Sequence, residues 1–298
     1  MHIKLGTRGS KLALAQTNWV KERLEQEFPQ HTYEVVIIKT KGDLIQHKAL
    51  DQIGGKGLFV KEIEQQILDT TVNLGVHSMK DMPSEPANGL CFTKIWLRAD
   101  RRDALVLKQA KSLEELPCGA VIATGSKRRI YQLKALRPDL QFVGIRGNID
   151  TRLKKMREGE IDGLVLAAAG LHRLGMEHLI TQYLDPQREM VPACAQGALA
   201  LEIRQDDAAL REILDSLCDE QTQREVQAER AFLQEIGGGC HTPAGACAFQ
   251  WEESLTLTAW YGTTDGQRIK RDTLSGNVED APMLAKTLAQ RLKNEVDV

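Results

Sequence analysis

Short apolar strands and amphipathic helices alternate through the first two thirds of this chain. Residues 3–7 predict a strand that leads to Ser10, a residue type suited to the N-cap of a helix. Apolar side chains then recur every three or four residues from Leu12 to Phe28, the period of a helix with one buried face. Residues 33–40 are rich in β-branched side chains and predict the next strand. This order indicates parallel βαβ units and an α/β fold.

The same alternation predicts a second α/β lobe after about residue 100. Its predicted elements are 121–124, 127–136, 142–145, 148–157 and 163–168, with further elements outside the lobe at 61–69, 74–76, 206–216 and 222–236. Ligands of open α/β sheets bind at the carboxyl ends of the strands, so we expect a site where these strands end. Residues 41–58 are polar and rich in glycine, and a connection of this length is a candidate lid.

The last quarter of the chain has a different pattern. Strands are predicted near 243–250, 255–261 and 268–274, and an amphipathic helix over 281–295. These segments predict a separate small α+β domain.

Composition excludes several classes of protein. The chain of 298 residues has no apolar run of about 20 residues that could span a bilayer, and its first residues do not resemble a signal peptide, so we expect a cytoplasmic protein. Six cysteines without paired spacing indicate reduced thiols, and they do not fit a structural zinc site. A net charge of −2 argues against nonspecific binding to nucleic acid.

Positive charge is nevertheless concentrated in one segment. Residues 124–157 contain ten Lys or Arg and two acids, a local charge of +8 that leaves −10 for the rest of the chain. A solvated helix face explains some of these cations. It explains less well the four arginines that lie beside predicted strand ends, Arg128, Arg129, Arg146 and Arg152. The segment therefore indicates an anionic ligand of limited size, and arginine suits carboxylates because its planar fork binds them with two hydrogen bonds.

Three further segments carry side chains with recognisable chemistry. Residues 124–126 (Thr-Gly-Ser) form a strand-to-helix turn whose backbone N–H groups suit an anion. Asp81 follows a predicted strand end next to Lys80, where a carboxylate can stabilise a cation or move a proton; a turn or cap aspartate is the alternative. Cys240 follows three glycines and precedes Pro243, which lets a bound group approach the backbone closely; a small buried cysteine is the alternative.

These segments resemble the hydroxymethylbilane synthase (porphobilinogen deaminase) family. The strings that carry the resemblance are GTRGSKLALAQ (6–16), GGKGLFVKEIE (54–64), VHSMKDMP (76–83), GSKRR (125–129), RGNIDTRL (146–153), AAAGLHRLG (167–175), AQGALALE (195–202), AERAF (228–232) and GGGCHTPAGA (237–246). They span almost the whole chain in the family's order. The resemblance implies an α/β protein with two lobes like those of type II periplasmic binding proteins and a small C-terminal α+β domain. The implied domains are 1–96 with 197–215, 101–190, and 220–298.

The resemblance also implies a function. The family is a transferase that joins four porphobilinogen molecules head to tail, releases four ammonia molecules and frees the linear tetrapyrrole hydroxymethylbilane by adding water, in haem-type tetrapyrrole biosynthesis. It uses a dipyrromethane cofactor held by a thioether, which maps onto Cys240, and no metal or nucleotide. The implied partners are porphobilinogen and uroporphyrinogen III synthase, which receives the product; no nucleic acid or membrane is expected, and the protein is expected to be a monomer.

Individual roles follow by motif match. The resemblance implies that Lys80, Ser126, Arg128, Arg129 and Asp81 bind the cofactor, and that Arg8, Ser10, Arg146, Arg152, Phe59 and Gln196 serve the substrate and the growing chain. Asp81 is also the implied catalytic residue, which stabilises the azafulvenium cation formed when ammonia leaves. Phe59 is implied to stack on a pyrrole ring.

The chain departs from the usual family pattern at three positions. Gly125 stands where a second serine is common, Ala195 where glycine is common, and His241 where glutamine is common. Two other classes of protein have similar lobes. A solute receptor would carry an export signal and no reactive thiol, and the effector domain of a transcriptional regulator would carry a DNA-binding helix pair; neither signal nor helix pair is apparent in the sequence.

Overall fold

The first lobe is built on a five-stranded mixed sheet. The computed structural model describes residues 1–40, 60–238 and 242–297. The lobe's elements are β1 (His2–Thr7), α1 (Lys11–Glu27), β2 (Thr32–Ile37), α2 (Lys61–Leu68), β3 (Leu74–Ser78), a 3₁₀ turn (Met79–Asp81), β4 (Leu90–Phe92), and later β10 (Leu199–Arg204) and α6 (Ala208–Asp215). The strand order is β2-β1-β3-β10-β4. β1 runs parallel to β2 and β3, whereas β10 is antiparallel to both β3 and β4.

The core of this lobe follows from the alternation in the sequence. Ile3 and Leu5 of β1 are fully buried and belong to one apolar cluster with Val20 and Leu24 of α1. The helix begins where the sequence predicts, because the Ser10 side chain accepts a hydrogen bond from the Ala13 amide at 3.2 Å. Burial of such apolar faces is the main source of the lobe's stability.

The second lobe repeats this plan with a second five-stranded sheet. Its elements are β5 (Asp103–Leu107), β6 (Val121–Ala123), α3 (Lys127–Leu136), β7 (Gln141–Val143), α4 (Ile149–Glu158), β8 (Gly163–Ala167), α5 (Ala168–Arg173), a 3₁₀ turn (Glu177–Leu179) and β9 (Gln182–Tyr183). The strand order is β7-β6-β8-β5-β9. β6 is parallel to its neighbours, and β5 is antiparallel to β8 and β9.

The C-terminal elements form a third, antiparallel sheet. They are α7 (Glu220–Glu235), β11 (Ala244–Trp251), β12 (Ser254–Gly262), β13 (Ile269–Asn277), a 3₁₀ turn (Val278–Asp280) and α8 (Ala281–Val296). The three strands pair in sequence order. Their apolar face packs with α7 and α8 around Phe232 and Leu288, both fully buried. The α/β class with a small C-terminal α+β part is therefore confirmed.

By compactness the chain divides into two units. One comprises Met1–Arg98 with Ala198–Gln223, and the other comprises Ala99–Gly197 with Arg224–Val298, so the second unit contains two of the three sheets. The three domain boundaries given above stay a prediction. No helix in the described part of the chain is both long and apolar enough to cross a membrane.

The expected parallel pairing is confirmed for the predicted strands β1, β2 and β3 and for β6, β7 and β8, but two strands that were not predicted are antiparallel. β5 and β10 enter their sheets antiparallel, and together with the short strands β4 and β9 they escape the sequence pattern. β5 and β10 are buried along almost their whole length, so they lack the alternation that identifies a strand with one exposed face. The short helix α5 was not predicted either, whereas the other helices and strands lie within a few residues of their predicted bounds.

One departure from the family pattern has a backbone explanation. Ala195 is buried and has a φ of 60°, the left-handed region that favours glycine. Its amide is held there by a hydrogen bond of 2.6 Å to the buried Glu229 carboxylate. A methyl group at this position therefore strains the backbone.

We expect Ala195→Gly to raise the free energy of unfolding by about 0.5–1 kcal/mol, because relief of the left-handed strain exceeds the entropy cost of glycine. Ala198→Gly is the matched control, since Ala198 is equally buried but does not have a positive φ; it should destabilise. Urea denaturation of both variants checks this. Equal destabilisation by the two changes would show that Ala195 is not strained.

Candidate functional site

The end of β6 presents a helix N-terminus with an unused hydroxyl. Ser126 is the N-cap residue of α3, yet its side chain makes no capping hydrogen bond, and its amide instead donates to Thr124 Oγ1 at 3.2 Å. Gly125 beside it is exposed, and a Cβ there would meet no atom within 4 Å. The Ser126 hydroxyl and the N–H groups of the first helical turn therefore suit an anion.

A buried carboxylate fixes the first two arginines of α3. Asp103, at the start of β5, is fully buried. Its Oδ2 accepts from Arg128 Nη1 at 2.7 Å, and its Oδ1 accepts from Arg129 Nε at 2.9 Å and Nη2 at 2.7 Å. Arg128 Nη1 also donates to the Val191 carbonyl at 2.7 Å, and Arg129 Nη1 to the Val165 carbonyl at 2.9 Å. One negative charge thus orients two positive ones.

Two more arginines add charge beside this pair. We call Arg128, Arg129, Arg146 and Arg152 the arginine cluster. Arg152 Nε donates to the Gly147 carbonyl at 2.7 Å, a neutral acceptor. Burial, followed by the charges of Arg129 and Arg146, holds the pKa of Arg152 below its usual range. Arg129 and Arg146 therefore lie close enough to Arg152 for their like charges to disfavour its protonated form.

Gln196 lies under the cluster. It is fully buried, and its Nε2 donates to Asp103 Oδ1 at 3.2 Å and to the Arg101 carbonyl at 2.9 Å. These bonds give its amide a role in holding Asp103. Its service to the substrate stays a prediction.

Two charged residues of the second lobe were not predicted from the sequence, Asp103 and Arg173. Arg173 Nη2 donates to the Gly197 carbonyl at 2.7 Å, and burial lowers the pKa of its guanidinium to about 10. Asp103 lies in a strand that the sequence pattern did not reveal. The AAAGLHRLG string contains Arg173, and an arginine in the last turn of a short helix could have been flagged there.

In the first lobe, the predicted site residues follow strand ends. Arg8 follows β1 and is half-buried, and the Ser10 side chain caps α1. Lys80 and Asp81 form the 3₁₀ turn after β3, with Lys80 half-buried and Asp81 exposed. The Met79 amide anchors this turn through a hydrogen bond of 3.0 Å to the Ala198 carbonyl. An exposed carboxylate on an anchored turn is accessible to a ligand.

Several predictions fall outside the described residues. These are Cys240, Phe59, the candidate lid 41–58, and His241. Of the cysteines that the structure describes, Cys194 and Cys247 are buried, and burial raises the pKa of the Cys194 thiol. The pKa of Cys218 is raised to about 11 by burial and by Glu220. Neither Cys194 nor Cys218 is thereby favoured as a thiolate.

The donor set of the second lobe fits a ligand with several carboxylates. The arginine cluster offers guanidinium forks, and the Ser126 hydroxyl makes no capping bond. No group of three or more His, Cys, Asp or Glu side chains within residues 1–40, 60–238 and 242–297 is arranged to hold a metal ion. Two mixed α/β lobes, one with an arginine cluster at its strand ends, have the fold and the donor groups that suit a protein class whose ligands are small polyanions.

Comparison with known proteins specifies the family. Residues 3–212 match the family described as "Porphobilinogen deaminase, dipyromethane cofactor binding domain", and residues 223–294 match "Porphobilinogen deaminase, C-terminal domain". This chain belongs to the porphobilinogen deaminase family. The family expected from the sequence motifs is thereby confirmed. The chain also contains a domain of the type that binds a dipyrromethane cofactor.

Individual relatives are similar over their full length. The chain is 51% identical over 284 residues to the porphobilinogen deaminase of Lachnospira eligens. That alignment covers 94% of this chain and 96% of that protein. It is 47% identical over 298 residues to the porphobilinogen deaminase of Clostridioides difficile, which covers 100% and 99%. Among solved structures, a periplasmic solute binding protein from Desulfovibrio salexigens aligns with a TM-score of 0.44 and 11% identity, covering 75% of this chain and 74% of that one.

We expect Asp103→Asn to destabilise the protein by about 3–5 kcal/mol, because it leaves two buried guanidinium groups facing an amide. Asp139→Asn is the control. Asp139 also pairs with an arginine, Arg137, but that pair is partly exposed, so we expect a clearly smaller loss of stability. Urea denaturation followed by circular dichroism measures both. If Asp103→Asn were as stable as the control variant, the buried carboxylate would not be needed to hold the arginines.

Proposed function

We propose that this chain condenses four molecules of porphobilinogen head to tail into hydroxymethylbilane on a covalently held dipyrromethane primer, with release of four ammonia molecules. It is then a transferase of tetrapyrrole biosynthesis. The observation that carries the proposal is the arginine cluster organised by Asp103 within the region that matches the cofactor-binding family. Such a cluster gives the chain what a primer and substrates rich in carboxylates require.

The cofactor's place follows from chemistry that the residues offer. When bound, dipyrromethane supplies a nucleophilic pyrrole carbon to which the first substrate is joined. We propose that the Cys240 thiolate holds it through a thioether, and that Lys80, Ser126, Arg128 and Arg129 bind its carboxylates. Support comes from Ser126, whose hydroxyl is not used in capping, and from the high pKa of the thiols of Cys194 and Cys218, which disfavours them as alternatives.

The excess charge of the cluster suits elongation. Each porphobilinogen brings an acetate and a propionate, so negative charge accumulates as the chain grows. Arg152 donates to a carbonyl rather than to a carboxylate, and its pKa is lowered by burial and by neighbouring arginines. An incoming carboxylate relieves this repulsion. We therefore propose that Arg146 and Arg152 bind carboxylates of the growing product. Arg8, on the first lobe, is proposed as a further arginine that donates to these carboxylates.

Asp81 supplies the negative charge that the reaction needs. When ammonia leaves porphobilinogen, positive charge develops on the pyrrole, and a nearby carboxylate stabilises it in the transition state. Asp81 is exposed on a turn whose backbone is anchored to β10, so its carboxylate can be presented in a fixed place. Its exposure supports contact with a substrate.

We also propose that the protein acts as a monomer and that its product passes to uroporphyrinogen III synthase. Hydroxymethylbilane is a linear molecule whose ends can react with one another. Ring closure is therefore the class of reaction that we expect the next enzyme to direct.

The covalent primer gives the decisive test. The purified protein should be heavier than its sequence by two pyrrole units, because the thioether survives denaturation. Cys240→Ser should lose both this addition and the activity, whereas Cys118→Ser, which changes an exposed cysteine, should keep both. Intact mass spectrometry and a porphobilinogen consumption assay measure them. A wild-type protein that is unmodified and fully active would refute the proposal.

The role of Asp81 is tested separately. Asp81→Asn keeps the size of the side chain but removes its charge, so we expect the primer to attach while kcat falls by about 10²-fold or more. Asp81→Glu keeps the charge and should retain more activity than the amide. Asp206→Asn, at an exposed carboxylate on the same lobe, should leave kcat unchanged. Wild-type turnover by Asp81→Asn with full primer occupancy would return Asp81 to a turn residue.

A further inference from the structure

A buried pair of ionisable side chains joins β3 to β10 beneath the turn that carries Asp81. His77 on β3 is almost fully buried and Glu202 on β10 is completely buried. Their atoms Nε2 and Oε2 lie 3.2 Å apart. The geometry is that of an ion pair rather than of a hydrogen bond, and within the described residues neither oxygen of Glu202 makes a hydrogen bond. His77 is therefore the close partner of a carboxyl group that is buried away from solvent.

The backbone makes room for this pair. β3 and β10 are antiparallel, with Ala200 opposite His77 and Glu202 opposite Gly75. A Cβ at Gly75 would lie 2.7 Å from His77 Nε2 and 3.0 Å from side-chain atoms of Ile63 and Ile67. Only glycine leaves the imidazole its place over the strand among apolar side chains.

A third ionisable group faces the pair from α2. Burial and the charge of Glu202 raise the pKa of the half-buried Glu64 carboxyl, while His77 and Lys61 act in the opposite direction. The cluster thus contains one imidazole and two carboxyl groups, with Lys61 at its exposed side.

Stability alone does not account for this arrangement. Removing two charges from water costs free energy that their attraction seldom exceeds, so a pair of apolar side chains of similar size would pack here at least as stably. What an ion pair adds is a fixed geometry. Its value then depends on what is attached to the strand.

The segment attached to β3 is the one that carries the proposed catalytic residue. Ser78 follows His77 and accepts a hydrogen bond of 3.0 Å from Gln16 Nε2. The Met79 amide donates to the Ala198 carbonyl, which immediately precedes β10. β10 and the residue before it therefore hold this segment twice, through Glu202 and through Ala198, and Asp81 comes two residues after Met79.

We propose that His77 and Glu202 are positioning residues, whose buried ion pair fixes the end of β3 on β10 and thereby sets the place of Asp81. The inference rests on the proposed function, in which Asp81 acts on the substrate. Neither side chain touches the reacting atoms.

The test replaces the pair by apolar side chains. The double variant His77→Leu with Glu202→Met should unfold at the same or a higher temperature than wild type, yet its kcat should fall at least tenfold while KM changes less than twofold and the primer remains attached. Hydrogen exchange of the Met79 amide should become at least tenfold faster. Arg204→Met, which removes an exposed ion pair on the same strand, should alter neither kcat nor this exchange.

A milder variant covers failure of the double variant to fold. Glu202→Gln keeps the shape, and it should speed exchange of the Met79 amide and lower the pKa of Glu64 in an NMR titration. Unchanged exchange of the Met79 amide in a folded variant, or wild-type kcat in the double variant, would overturn the proposal. If the wild-type protein does not consume porphobilinogen, the proposed function fails, and amide exchange still decides whether the pair holds the segment.

Discussion

The second lobe depends on one buried carboxylate. Asp103 accepts hydrogen bonds from Arg128, Arg129 and Gln196 within a region closed to water. Without it, adjacent guanidinium groups at the start of α3 would repel each other and turn toward solvent. With Asp103 in place, both guanidinium groups are paired with a carboxylate at the edge of the sheet. Burying such a paired charge costs much less free energy than burying an unpaired one. Arg128 and Arg129 keep their orientation because this one acid lies behind them.

The number of acids in this region is as important as their position. A carboxylate for every arginine would give a neutral surface with little attraction for a polyanion. Asp103 accepts hydrogen bonds from two arginines, and Arg152 donates to a carbonyl; burial, and then the charges of Arg129 and Arg146, lower the pKa of Arg152. The polyanionic ligand that we propose would bring carboxylates to these guanidinium groups, and the opposite charges would favour its binding.

The sequence predicts those parts of the molecule whose signals are local. Helix α3 is predicted at its observed bounds, and the four arginines are identified because they follow strand ends in a parallel arrangement. Asp103 and Glu202 are not predicted, because each lies in an antiparallel strand buried on both faces, where neither period nor turn residues mark the element. The strain at Ala195 is also invisible in the sequence, since φ depends on the Glu229 contact made 34 positions later.

The two missed strands place the same kind of group in the same role. In each lobe one antiparallel strand carries a fully buried acid, Asp103 on β5 and Glu202 on β10. Asp103 contacts Arg128 at the start of α3, and Glu202 contacts His77 at the end of β3. In a purely parallel sheet, the segments that follow the strand ends would lie along one edge and be held there mainly by backbone hydrogen bonds. An antiparallel strand adds a side chain from a distant part of the sequence that contacts such a segment. In the function that we propose, the antiparallel strands β5 and β10 thus support the segments that face the ligand, although none of their own residues is expected to touch the substrate.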